Sequence, residues 1–385
     1  MIKSVEIKNF KSIKKKFFTL KNLNLLFGLN GMGKSSFIQT LLALRQSPNL
    51  KSGRLDLKNS SYMNLGVSKD VLYQYCEKNE NLAINIKFTN DKAYEYVFEF
   101  KPEADYFLEK EKDGTSNQNL DKLNLFKESL FTKNFQYLNA SRIEPKSINP
   151  KSFSAVVDER NVGNYGEYTA YFIEVYHNDQ IEFENLLHRD SWVKDPVTGK
   201  EIVNKNLINQ INLWMGEISP GVNILTTSIS SDQVLLEYVF KQPNFGGTNR
   251  YKPENVGFGI SYVLPIVVTL LAAKPGELII IENPESHVHP RGQAELGKLI
   301  ARTAMNDVQI IVETHSDHIL NGIRVAVKEQ EIDKNKVIAF YFEKVIEPKE
   351  QYSKITNIEI DKNGELSEYP KNFLDEWSNQ LIKLV

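Results

Sequence analysis

Apolar and polar positions alternate from Ile2 to Ile7, the period of a strand with one face buried. Leu23 to Phe27 is a short apolar run closed by Gly28, as expected of a buried strand. From Ser35 to Gln46 the spacing becomes helical, with Phe37, Ile38, Leu41 and Leu42 sharing a face. The opening of the chain therefore predicts strand, glycine loop and helix in succession.

From about residue 53 to about residue 255 the pattern breaks up. Aromatic runs such as Tyr94 to Phe100 predict strands, and polar stretches such as Lys112 to Asn117 separate them. No heptads persist, which argues against a long coiled-coil arm. After Asn255 regular punctuation returns. A buried helix is expected over Ser261 to Ala273, with Pro265 in its first turn or kinking it. Strand Leu278 to Ile281, helix Gly292 to Thr303 and strand Val308 to Val312 follow. Helix His318 to Val327, strand Val337 to Phe342 and a closing helix over Phe373 to Leu384 complete the reading. The expected fold is α/β, a mostly parallel sheet flanked by helices. Residues 1–52 and 256–385 would form the core, and 53–255 an inserted mixed α/β lobe. There is no internal repeat and no low-complexity tract.

Composition narrows the class. A chain of 385 residues makes one large domain or two ordinary ones, and 41% hydrophobic with 25% charged residues reads as soluble and globular. A formal net charge of −2 gives no global pull toward nucleic acid or membrane, so any such contact must be local. With Cys76 as the one cysteine, neither an internal disulfide nor a cysteine-built metal site is available. No run approaches the roughly 18 apolar residues of a membrane span, and no signal peptide opens the chain. The expected location is cytoplasmic.

Gly28 to Ser35 fits G-x-x-x-x-G-K-[ST] in full. Glycines let backbone N–H groups close around phosphate oxygens, and the following helix adds its positive end. Gly28, Asn30, Gly31, Gly33, Lys34, Ser35 and Ser36 are thus the candidates for binding ATP. Lys34 would reach the β- and γ-phosphates and Ser35 would ligate Mg²⁺. A coincidental glycine turn is the bland alternative, and the strand before and helix after argue against it.

Four apolar residues, Leu278 to Ile281, run into Glu282, which is placed at the end of a buried strand, beside the loop, to hold the magnesium through water. An ordinary acidic turn would look the same in isolation. A second strand, Val308 to Val312, ends in Glu313-Thr314-His315-Ser316, and polar residues at one edge of neighbouring strands are how such sheets build sites. His315 either satisfies a backbone carbonyl or senses the γ-phosphate; the setting favours the second. His287, His289, His315 and His318 crowd this half, yet without cysteines a zinc site is not expected. The third element, Glu254 to Ser261, is a glycine-rich turn entering a helix, with a helix N-cap at Ser261 or nearby. Gly257, Gly259 and Ser261 would cover the γ-phosphate held by another subunit.

Together these elements resemble the ABC-type ATPases of the SMC and recombination-repair class, and among them the bacterial AAA-annotated ATPases akin to the overcoming-lysogenization-defect proteins. Ile7-Lys8-Asn9-Phe10-Lys11-Ser12, Glu282 to Pro290 and Glu313 to Ser316 carry the likeness. Val162 to Tyr168 and Gly364 to Pro370 look like a subgroup with a C-terminal region of unknown function. The resemblance implies a head-to-tail dimer with two ATPs between subunits. It makes Gly257 and Gly259 the signature turn, Ser286 to His289 the D-loop and His315 the switch histidine. Two departures follow. Gly257 stands where the family has a serine, and Asn283 stands where it has a second acidic residue. An amide is no general base, so Glu285 or His315 must serve, or turnover is slow.

The overcoming-lysogenization-defect proteins carry a nuclease domain after the ATPase. Roughly 65 residues follow the switch region here, too few for such a domain, so an effector nuclease would be another polypeptide. Lys8, Lys11, Lys14, Lys15 and Lys16 form a basic run that reads as solvated surface, with DNA kept as a candidate partner. The expected role is an ATPase subunit acting with a separate effector in anti-phage defence or DNA processing. A non-hydrolysing ATP-dependent scaffold and a DNA-repair ATPase are the alternatives.

Overall fold

A computed structural model describes residues 1–58, 61–77, 79–110, 124–194, 198–242, 247–370, 373 and 380–384. The chain divides into two compact units, one of residues 1–135, 335–361 and 366–385, the other of 136–334 and 362–365. Residues 53–135 therefore belong to the first unit and 136–255 to the second.

In the first unit the alternating opening segment forms strand Ile2–Phe10, which pairs antiparallel with Ile13–Thr19 on one side and Leu82–Phe88 on the other. Ala93–Glu99, Tyr106–Glu109 and Arg54–Asp56 extend this antiparallel sheet. The strand expected from the aromatic run is thus present, while Lys112 to Asn117 lie outside the described residues. A second group centres on Leu23–Phe27, every residue of which is buried. It pairs parallel with Val337–Ile346, which pairs antiparallel with Gln351–Ile358. Helix Lys34–Gln46 supplies Phe37 to a ring cluster with Phe18, Phe340 and Phe342, each fully buried. Aromatic burial of this size dominates core energetics. Half of the expected closing helix, residues 374–379, lies outside the described residues. From that segment Phe373 packs its ring against Phe27 and Tyr341.

In the second unit Leu278–Glu282 and Gln309–Glu313 form a parallel pair with Glu282 opposite Glu313. Helices Pro290–Met305 and Asp317–Lys328 follow these strands, and the second is capped by the Ser316 hydroxyl, which accepts from Ile319 N at 3.1 Å. An antiparallel sheet of Val222–Ser228, Gln233–Phe240 and Ile148–Pro150 belongs to the same unit. The expected α/β fold, with parallel strands flanked by helices, is what forms. The helix expected from Ser261 begins earlier, spanning Phe258–Leu271 with Gly257 as N-cap, so Pro265 sits in its interior. Ser261 is no N-cap because it lies within the helix, where its hydroxyl meets the Tyr238 hydroxyl 3.1 Å away. Among the described residues no helix is long and apolar enough to cross a membrane.

Glu277, just before the carboxylate strand, gives the fold a pH dependence. Burial pushes its carboxyl up to about 7, partly countered by Arg160 and Lys274. A raised carboxyl costs nothing below its unfolded value, and its penalty grows as pH rises to about 7. Glu277→Gln therefore leaves stability near wild type at pH 5 and raises it at pH 8 by up to roughly 3 kcal/mol. Denaturant melts at the two pH values test this; an equal effect at both would count against it.

Candidate functional site

The glycine loop is built around Lys34. Its side chain is 3% exposed, and its ammonium donates to the carbonyls of Gly28 at 2.7 Å and Leu29 at 3.0 Å. The loop thus closes over its own lysine. Gly28 has φ 141°, and a Cβ there would run into the Phe342 carbonyl oxygen, so this turn tolerates only glycine. Gly33 starts the helix with no side-chain cap, and no acidic residue stands in the first turn. A helix start with neither supplement is suited to an outside anion. Asn30, Gly31 and Ser35 are exposed at this end, whereas Ser36 is buried.

A distant strand frames the loop. Ser353 Oγ donates to the Met32 carbonyl at 2.6 Å and can accept from the Ser12 hydroxyl at 2.8 Å, and Ser353 N donates to the Ser12 carbonyl at 2.8 Å. Beside Gly31 opens a cavity of about 190 Å³ whose walls include Lys11, Tyr73, Tyr75, Lys344 and Tyr352. Pockets that enclose a whole drug-sized ligand run to about 300–1,000 Å³, so this one takes part of a ligand.

The second unit gathers the carboxylates. Glu282 is half-buried; its Oε1 accepts from the Tyr137 hydroxyl at 3.1 Å and its Oε2 from Ala140 N at 3.2 Å. Burial raises its carboxyl, and these two bonds and Arg142 oppose the rise. Asn283 has φ 46° and donates its N–H to the Glu313 carbonyl at 2.8 Å. Glu285 bridges to the other strand end, accepting from Thr314 Oγ1 at 2.7 Å and from His315 N at 2.8 Å. The His315 ring is exposed. Ser35 in the first unit carries a hydroxyl and Glu282 in the second a carboxylate, each by itself a hard oxygen of the kind Mg²⁺ prefers. No three His, Cys, Asp or Glu side chains among the described residues cluster as a metal site, so phosphate and water oxygens would have to complete the coordination.

The glycine turn at Gly257 also falls in this unit. Phe258 is 54% exposed at the helix start, and a Cβ on Gly259 would run into the His287 carbonyl oxygen. That approach seats the helix start on the Ser286 to His289 turn, where the His287 ring lies 4.8 Å from that of Tyr262. The basic run has a different fate. Lys8 pairs with Glu80 at 2.7 Å, Lys14 with Glu350 at 2.7 Å and Lys15 with Glu6 at 3.4 Å. Lys11 and Lys16 donate to Gln39 and the Ile355 carbonyl.

A model of the family described as "AAA domain, putative AbiEii toxin, Type IV TA system" matches residues 23–321, which include the glycine loop and both polar strand ends. The chain belongs to this AAA family. A second model, of a protein family of unknown function (DUF3696), matches residues 332–384. No curated protein matches. Among solved structures, an SMC head bound to the C-winged helix domain of ScpA is 14% identical, with 94% of this chain and 98% of that one covered and a TM-score of 0.54. The chain therefore has the fold of an SMC head. The SMC head domain from Thermotoga maritima is 13% identical over 93% of this chain and 99% of that one, with a TM-score of 0.42. An SMC head with an extended coiled coil, bound to the C-terminal domain of ScpA derived from Pyrococcus furiosus, is 12% identical over 100% and 99%, at 0.49.

The family was legible from the motifs; several contacts of the site were not. Sequence reasoning missed Ser353, which comes from the DUF3696 match and holds the loop, and it missed Tyr137 and Arg142, which hold the carboxylate turn. The one signal for the latter pair was local. Asn139 to Arg142 is a polar cluster directly after the apolar-aromatic run Phe135 to Leu138, the same punctuation that marks Glu282 and His315.

Proposed function

We propose that this protein binds ATP with magnesium, hydrolyses it slowly, and dimerises around it to control a separate effector protein. The observation that carries this reading is the glycine loop, which closes over a buried lysine at an uncapped helix start. Phosphate oxygens would replace the Gly28 and Leu29 carbonyls as partners of Lys34 while first-turn N–H groups donate to the remaining oxygens. The cavity beside Gly31 would receive the base and sugar. Bound through Ser35 and, by way of water, Glu282, magnesium would neutralise charge on the transferring phosphoryl group. Glu285, with lone pairs beyond those it uses on Thr314 and His315, is the residue to take the proton of the attacking water, and His315 would meet the γ-phosphate. Asn283 cannot take a proton, which is the reason to expect slow turnover.

Exposed Phe258 at the start of an uncapped helix supports a second subunit covering that end. Two further observations support a separate partner: the family description names a putative toxin of a type IV toxin–antitoxin system, and the SMC head of similar fold is bound to a domain of ScpA. A role in anti-phage defence or DNA processing follows as the biological setting, with a nuclease as the effector class. Direct DNA binding gains no support from Lys8 to Lys16, whose charges have partners within the chain. The functional test is steady-state phosphate release. Turnover below about 1 per second, under the usual enzyme range, is expected; rapid turnover that survives Glu285→Gln and His315→Ala would sink the assignment.

A further inference from the structure

Val162 to Tyr168 is a motif that the proposed ATP chemistry leaves unused. Its backbone grips both ends of a short segment: Asn139 N donates to the Asn164 carbonyl at 2.8 Å, and Ile143 N to the Tyr165 carbonyl at 2.9 Å. On its other side Gly166 packs on Pro265 with no room for a side chain. Held in that segment is Arg142, which is 3% exposed. Its Nη1 donates to the Glu282 carbonyl at 2.7 Å and to the Asn139 carbonyl at 3.2 Å, and its Nη2 to the Asn283 carbonyl at 2.6 Å. Nε finds no acceptor among the described residues. The guanidinium carbon lies 5.6 Å from the centre of the Tyr262 ring, on the helix that starts after Gly257.

Taking a cation out of water costs several kcal/mol, and a chain normally recovers this with a directly bonded carboxylate. Arg142 instead bonds the main-chain carbonyls on either side of one residue, Asn283. That residue holds a left-handed conformation, which is costly for a residue other than glycine. Asn283 is thus held at its N–H by Glu313 and at its carbonyl by Arg142, while Tyr137 and Ala140 hold the Glu282 carboxylate. One six-residue segment therefore fixes both the side chain of Glu282 and the turn that follows.

We propose that Arg142 is a positioning residue: it sets the direction in which the Glu282-Asn283 turn presents its carboxylate and amide, and through Tyr262 it ties that turn to the helix start at Gly257. Its consequence for magnesium rests on the ATP reading above; its hold on the turn does not.

The test compares Arg142→Ala and Arg142→Lys with wild type in the full chain. Amide hydrogen exchange over residues 280–288 should speed up by about tenfold or more in Arg142→Ala, with residues 23–46 unchanged. Half-saturation of ATP binding by Mg²⁺ should rise about 10- to 100-fold, as on loss of an outer-shell partner, while nucleotide affinity without magnesium stays level. Millimolar guanidinium should restore part of both effects in Arg142→Ala, which a merely loosened fold would not show. Arg142→Lys keeps the charge but not the two-carbonyl fork, so it should stay impaired and unrescued; it carries the same comparison if the alanine variant does not fold. Exchange over 280–288 within twofold of wild type in a folded variant would overturn the proposal. Failure of wild type to bind ATP would overturn the nucleotide reading alone, because the exchange comparison needs no nucleotide.

Discussion

Lys34→Ala weakens ATP binding by at least about a hundredfold while leaving the fold in place. The residue is buried, and its ammonium donates to two carbonyls of its own loop. Hydrogen bonds to charged groups contribute about 1.5–3 kcal/mol each, so losing contacts to two phosphates costs about 3–6 kcal/mol of binding. The unliganded chain pays little by comparison. Removal strands the carbonyls of Gly28 and Leu29, but it also removes a buried cation, and the two effects oppose each other. Calorimetric titration with Mg·ATP, paired with a thermal melt, measures both. Unchanged affinity in a folded variant would mean that the loop does not hold the phosphates.

Glu285→Gln lowers turnover by about a hundredfold or more and leaves ATP affinity near wild type. General-base catalysis contributes about 10²- to 10⁴-fold, and an amide cannot supply it. Architecture should survive the change. Glutamine keeps one oxygen to accept from His315 N, and its amide can donate to the Thr314 hydroxyl, which accepts as readily as it donates. Glu285→Ala, by contrast, would leave both donors without an acceptor and loosen the link between the two strand ends. Single-turnover phosphate release beside equilibrium binding separates the cases. Equal turnover in Glu285→Gln and wild type would move the base to His315.

What the sequence revealed follows from how local each feature is. The glycine loop fits within eight consecutive residues, and its strand and helix adjoin it, so periodicity and motif together located it. Glu282 and His315 were legible because each ends an apolar run. Contacts across the chain left no such trace. Ser353 meets Ser12 from 341 positions away, and Arg142 meets Glu282 from 140 positions away. No spacing rule links residues so far apart. Ser261 shows the opposite error: serine is a favoured N-cap, so sequence placed the helix start there, while Gly257 starts it and Tyr238 takes the hydroxyl. The basic run was legible as charge, but the acceptors that neutralise it come from other strands and loops.

The central claim is that one chain holds half of an ATP site, to be completed by a second copy. Light scattering on the purified protein with and without Mg·ATP tests it most directly. The account predicts that the mass doubles with Mg·ATP, stays doubled longer in Glu285→Gln, and remains that of a single chain in Lys34→Ala. A wild-type chain that is saturated with Mg·ATP and still has the mass of one copy would contradict it.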